Sequence, residues 1–322
     1  MKAAFVGEAG VEIRDVPKPE PAANEVLIRA RASSLNRADV YSASRAPGSV
    51  VGSGARLGGE CAGDVEAVGS DVTGISPGDR VLASAAGGFA EYVTTDAGRV
   101  HRIPADTMTY EQAACLPVAL QTMHNAIVTA GRIKRGETLL MQGASSGVGL
   151  LGMQIGKLMG AALVIGTSTN PRRRARLAEF GCDLALDSTD PAWPQAAKAA
   201  TGGKGVDLIV DMVSGRVANQ NLEAAAVLAR IVNVGRLGGM SGEFNFDLHA
   251  LKRIDYIGVT FRTRSLDEIR EINRLMRADL WSAVEAGRLS LPICKTFRLD
   301  DIAAALAFMA ADQHFGKVAV AI

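Results

Sequence analysis

Gly143-Ala144-Ser145-Ser146-Gly147-Val148-Gly149 follows directly on Thr138-Leu139-Leu140-Met141-Gln142. The five residues before the turn form a short run without polar alternation, as a buried strand does, and residues 148–159 read as a helix. Glycines let the backbone turn sharply and come close to a ligand. The free amides at the start of the following helix, helped by its dipole, hold a phosphate there. Gly152, Gly156 and Gly160 recur at helical spacing, so this helix can lie close against a sheet. Alone, such a turn is as often a plain connector; its setting decides.

Working outward, the alternation continues. Strands are expected at 162–166, 206–211 and 230–234, and helices at 172–180 and 217–228. Buried strands alternating with helices define a doubly wound parallel sheet, a Rossmann domain, and in that setting the glycine turn is a dinucleotide site. Toward the start, the first hundred residues hold short apolar runs such as Val26-Leu27-Ile28-Arg29-Ala30. They are punctuated by turn clusters such as Ser76-Pro77-Gly78-Asp79 and predict a barrel or sandwich. The far end reads as helices over 266–285 and 301–310 and a strand over 316–322.

At 322 residues two domains are expected. Lys and Arg number 35 against 34 Asp and Glu, so there is no overall field to draw nucleic acid or an anionic membrane. No apolar stretch is long enough to span a bilayer, and the first residues lack a signal-peptide core. Cys61, Cys115, Cys182 and Cys294 are widely spaced, which predicts buried free thiols in a reducing cytoplasm rather than a disulfide framework.

The end of the second strand of the alternating domain selects the cofactor. A unit that binds NAD carries Asp or Glu about 20 residues past the turn, for the ribose hydroxyls. Gly166-Thr167-Ser168-Thr169-Asn170-Pro171-Arg172-Arg173-Arg174 contains no acid. Hydroxyls and guanidiniums stand there instead, as the extra phosphate of NADPH requires, and Ser168, Arg172 and Arg173 join Ser146, Gly147, Val148 and Gly149 as expected cofactor ligands. The competing reading is a solvated arginine-rich helix face.

Pro77-Gly78-Asp79-Arg80-Val81, Gly87-Gly88-Phe89-Ala90-Glu91-Tyr92-Val93 and the glycine turn, in that order, resemble the medium-chain dehydrogenase/reductase superfamily over essentially the whole chain. Ser34-Leu35-Asn36-Arg37-Ala38-Asp39 and Phe315-Gly316-Lys317-Val318 are most similar to its zinc-free quinone oxidoreductases, the zeta-crystallin-like branch. That resemblance implies a GroES-like β-barrel catalytic domain over 1–118 and 264–322, and a Rossmann NADPH-binding domain over 119–263. It also implies a homodimer paired through the late strand Tyr256-Ile257-Gly258-Val259-Thr260-Phe261. Thr122, Gly235, Phe261, Arg262 and Lys317 match family segments that line the cofactor, although Arg262 and Lys317 read equally well as surface charges. In relatives with catalytic zinc, a cysteine, a His-Glu pair and a second cysteine surround the metal. Here Asn36 stands at the first cysteine, Gly59 replaces the histidine before Glu60, and the second cysteine position falls near Ala119 with Cys115 close by. No metal is expected.

Without a Lewis acid, the negative charge produced by hydride transfer needs an acceptor that spreads it, such as a quinone or enone. Asn36, Asp39 and Tyr41 match the family's substrate segment: Asn36 to orient a carbonyl, Tyr41 to donate a hydrogen bond or proton, Asp39 to assist or to brace the loop. The small, glycine-rich stretch at 45–55 suggests an open substrate mouth. The first expectation is therefore NADPH-dependent quinone reduction. The alternatives are an enoyl reductase of unsaturated carbonyls or thioesters, for whose nucleotide handle Arg45 and Arg56 are thin support, and a non-catalytic NADPH-binding sensor or structural protein.

Overall fold

A computed structural model describes residues 1–8, 10–44, 52, 54–104 and 108–322. The chain divides into two compact units, residues 1–119 with 265–322, and residues 120–264.

The second unit is a six-stranded parallel sheet. Its strands are β1 (Thr138–Gln142), β2 (Leu163–Ser168), β3 (Leu184–Asp187), β4 (Val206–Asp211), β5 (Ala225–Asn233) and β6 (Asp255–Gly258). In space they lie in the order β3-β2-β1-β4-β5-β6. The direction of winding reverses at β1, and the glycine turn leaves the C-terminal end of that strand, where doubly wound sheets bind ligands. Every residue of β1 is buried, which is why it lacks alternation. Helix α1 (Gly147–Leu158) crosses it closely, because a Cβ at Gly152 would stand 2.4 Å from Met141 Cε and one at Gly156 2.4 Å from Leu139 Cδ2. The core beneath gathers Leu140, Ile165, Trp193, Ile209, Leu222 and Ile231.

The first unit holds a seven-stranded sheet built on Glu25–Ser34, which pairs antiparallel with Glu60–Val68, Tyr92–Asp96 and Lys317–Ala321. The last of these pairs parallel with Ile293–Arg298 on its other side. The helix Leu266–Glu285 starts on a capping box, with Ser265 accepting from the Glu268 N–H and Glu268 accepting from the Ser265 N–H.

Three expectations change. Residues 225–228, expected to end a helix, open β5, while α4 (Ala218–Ala224) stops before them; α2 (Pro171–Arg174) and α3 (Trp193–Ala200) precede it. The alanine run favours a helix, but Gly205 overrides it: φ is +94°, and a Cβ there would stand 2.7 Å from the Ala226 amide. The side-chain-free approach lets Val206 pair with Ala225. The late strand is shorter than expected, Asp255–Gly258, and mostly exposed. Cys61, Cys115 and Cys182 are buried free thiols, whereas Cys294 is exposed on a strand of the first unit. The 45–55 stretch, with Arg45, lies largely outside the described residues.

Candidate functional site

In the second unit the turn is built for an anion. Gly143 takes φ +70°, and the Ala144 amide donates to Thr167 O at 2.9 Å. Ser146 caps α1: its Oγ accepts from the Gly149 N–H (3.1 Å) and donates to Gly143 O (2.9 Å). The amides of Gly147 and Val148 have no partner within the helix and face outward from its first turn. Beside the turn, the Ser168 hydroxyl donates to Ser145 Oγ at 3.1 Å. Asn170 caps α2 by accepting the Arg173 N–H at 3.1 Å. Arg172 is exposed and Arg173 half-buried. Thr122 is half-buried on the helix Pro117–His124, and Gly235 sits where a Cβ would meet Met212 O at 2.5 Å. The Arg264 guanidinium lies 5.9 Å from the Phe261 ring centre, while Arg262 is exposed.

The structure adds two residues that the sequence reading passed over. Asp187, at the end of β3, pairs in register with Ser168. Arg174 bridges to Asp187 at 2.9 Å and donates to Ser168 O at 2.9 Å. An acid therefore does stand beside the end of β2, delivered by strand pairing rather than by the expected spacing. Hydrogen bonds from Thr189, with Arg174 next to it, hold the Asp187 carboxyl below the usual range. Arg174 neutralises it, so it does not cancel the cationic character of Arg172 and Arg173.

In the first unit a buried ion pair organises the residues around Asn36. Lys317 is 3 % exposed and Glu60 fully buried. Lys317 Nζ donates to Glu60 Oε1 (2.8 Å), Asn36 Oδ1 (2.8 Å) and Leu35 O (3.0 Å), which uses all three of its hydrogens. Glu60 Oε1 also accepts from Ser34 Oγ (2.5 Å) and Asn36 Nδ2 (2.7 Å), and Oε2 from the Val118 N–H (2.8 Å). Lys317 is thus neither on a wetted strand edge nor extended toward a ligand. It is committed to Glu60. With the ammonium on its oxygen and the carboxylate on its nitrogen, the Asn36 amide has one permitted orientation. Gly59 lies alongside; a Cβ there would stand 3.9 Å from Asn36 Nδ2 and 3.8 Å from Val118 Cγ2.

Asp39 has the bracing position. It is 4 % exposed, accepts the Asn36 N–H at 2.7 Å, and is also hydrogen-bonded to the Gly58 backbone. Burial pushes its pKa up to about 7 against the pull of those backbone donors; Glu60 adds to the rise and Lys317 opposes it. Tyr41 is half-buried, and its hydroxyl has no hydrogen-bond partner among the described residues.

Two units of this kind, one with a dinucleotide turn at a sheet switch point, define a nicotinamide-cofactor oxidoreductase. A profile for the alcohol dehydrogenase GroES-like domain matches residues 22–105, and one for zinc-binding dehydrogenases matches 147–278. A mycobacterial protein, Rv1454c, solved with NADPH, is 27 % identical with TM-score 0.88, and the match covers both chains fully. A quinone oxidoreductase from Pseudomonas syringae is 25 % identical with TM-score 0.86, covering 100 % of this chain and 99 % of that one. In sequence, 97 % of the chain is 28 % identical to a phenolphthiocerol/phthiocerol polyketide synthase of Mycobacterium tuberculosis, of which it spans 14 %. The chain belongs to the medium-chain dehydrogenase/reductase superfamily.

The zinc of the second profile's name does not fit this donor set. Among the described residues no three His, Cys, Asp or Glu side chains come together as a metal group. Glu60 is engaged by a lysine ammonium, and the positions of the first cysteine and of the histidine hold Asn36 and Gly59.

Proposed function

We propose that the chain catalyses NADPH-dependent reduction of a conjugated carbonyl, with a quinone as the acceptor. The observation that carries this reading is the cluster of Glu60, Lys317 and Asn36, which puts a fixed amide where relatives with zinc keep a metal ligand. A single neutral hydrogen-bond donor stabilises a localised alkoxide less than a metal ion does. It is adequate for a hydroquinone anion or enolate, in which the charge is spread. NADPH, when bound, supplies the hydride. Asn36 gives its second Nδ2 hydrogen to the acceptor oxygen, Gly59 leaves that amide open, and the Tyr41 hydroxyl supplies a proton to the reduced product. The full-length likeness to a quinone oxidoreductase supports the quinone.

A second reading is reduction of an enoyl thioester, favoured by the likeness to segments of polyketide synthases. Reductive chain extension yields an α,β-unsaturated thioester, and the same amide would hold its carbonyl. A homodimer paired through β6 belongs to either proposal, because among the described residues the outer edge of that strand is unpaired.

The test is cofactor consumption by purified protein with an ortho-quinone, a para-quinone, an aliphatic enone and a short enoyl thioester, each with NADPH and with NADH. Quinone turnover with NADPH is expected. Turnover of the thioester alone replaces the first reading with the second. NADPH binding without turnover of any acceptor removes both and leaves a sensor or structural role.

A further inference from the structure

The C-terminal ends of the Rossmann strands are joined by a line of fully buried polar side chains, Asp211, Asn221, Gln142 and Thr167. Asp211 ends β4. Its Oδ1 accepts from the Val213 and Ser214 amides at 2.7 and 2.9 Å, and its Oδ2 from Asn221 Nδ2 at 2.8 Å. Burial raises its pKa, with those donors pulling the other way. Three donors and no acceptor surround it, so the carboxyl is ionised there. The polarity then propagates. Asn221, with its nitrogen turned to the carboxylate, presents Oδ1 to Gln142 Nε2 at 2.8 Å. Gln142 presents Oε1 to the Thr167 hydroxyl at 2.6 Å, and the Thr167 oxygen accepts the Gly143 N–H at 3.2 Å.

Gly143 opens the glycine turn. At the other end, Ser214 holds a backbone conformation rare for a residue with a side chain, φ +57° and ψ −155°. Its hydroxyl donates to Gly235 O at 2.6 Å and accepts from Asn233 Nδ2. One continuous path therefore ties the turn after β1 to the loops after β4 and β5.

We propose that Asp211 sets the direction of a one-way hydrogen-bond relay, Gly143 to Thr167 to Gln142 to Asn221 to Asp211, and that through it Asp211 and Asn221 position the glycine turn for NADPH. They are positioning residues that act through Thr167 and Gly143. The relay has one consistent orientation because each amide passes its polarity to the next.

Asp211→Asn shows the logic. The new amide must keep its oxygen on the two backbone N–H groups, so its nitrogen faces Asn221. Asn221 then has to turn over, which sets its nitrogen against that of Gln142. Gln142 turns in its place and presents its nitrogen to Thr167, whose hydroxyl hydrogen is left without an acceptor. A change at the end of β4 thus reappears beside Gly143. The swap Asp211→Asn with Asn221→Asp repairs it: the amide at 211 donates to the carboxylate at 221, which also accepts from Gln142, and the remainder of the relay is undisturbed.

The inference rests on NADPH binding at this turn, which the wild-type titration checks by itself. NADPH affinity of the wild type, D211N and the D211N/N221D swap is measured by calorimetry, with the amide resonance and hydrogen exchange of Gly143 followed in the cofactor-free protein. D211N is expected to weaken NADPH binding about tenfold, the consequence of one buried unsatisfied group, and to speed exchange at Gly143. The swap is expected to restore both. Wild-type affinity in D211N overturns the proposal, as does a swap that folds stably yet stays weak for NADPH. If D211N alone does not fold, the swap carries the test, and its failure to fold also overturns it.

Discussion

Glu60 and Lys317 face each other deep inside the first unit, and the energetic asymmetry of such a pair yields the first expectation. Removing one partner strands the other charge: Lys317→Met or Glu60→Gln alone should cost about 3–5 kcal/mol in urea unfolding, and the double substitution markedly less than the sum. Asp39 gives a pH signature. Its pKa rises from 3.8 to about 7 on folding, so between those values the native state keeps a proton that the unfolded chain releases, and stability falls as pH rises through that window. The stability of the wild type relative to Asp39→Asn should decline by a few kcal/mol from pH 4 to pH 7, read from denaturant titrations at each pH. Gly59 is the third case. Gly59→Leu fills the space beside Asn36 and should lower kcat/KM for the acceptor at least tenfold while leaving the NADPH dissociation constant unchanged. Asn36, Asp39 and Gly59 were legible in the sequence because each stands in a short local motif. The hold of Lys317 on them was not, since 257 residues separate it from Glu60 and only sheet pairing brings the two together.

The short helix α2 shows what local sequence carries and what it does not. Asn170 before Pro171 announces a helix start, and the arginines that follow read as ligands for a phosphate. The partner of Arg174 lies on β3, a four-residue strand with no clear alternation that periodicity cannot reveal. We propose that Arg172 and Arg173 contact the extra phosphate of NADPH, while Arg174 is tied to Asp187. Replacing Arg172 and Arg173 together by alanine should weaken NADPH roughly tenfold or more, by loss of charge-assisted hydrogen bonds, and leave NADH nearly unaffected in parallel titrations. The start of β5 was misread for a related reason. Its alanines fit a helix, and the deciding signal was the bare backbone of Gly205, twenty residues earlier.

For the whole molecule, the alternation of strands and helices was enough to read the Rossmann sheet, since fully buried parallel strands write themselves as continuous apolar runs. The first unit was harder, because its sheet gathers strands from both ends of the chain. The proposed homodimer belongs to this scale. Gly258→Pro removes an outward-facing amide at the end of β6, and in sedimentation it should convert a dimer to monomers without loss of the folded signal. A wild type that sediments as a monomer would end that proposal. No helix among the described residues is long and apolar enough to cross a membrane.

The last strand of the first unit also fixes an order of events during synthesis. Glu60 leaves the ribosome well before Lys317, a delay of about 10–50 s at ordinary elongation rates. Over that interval the carboxylate has no counter-charge, and the strand Glu25–Ser34 lacks one of its partners. The continuous stretch 120–264, complete long before then, is free to fold first. The sheet of the first unit is thus completed only once the strand that carries Lys317 has been made.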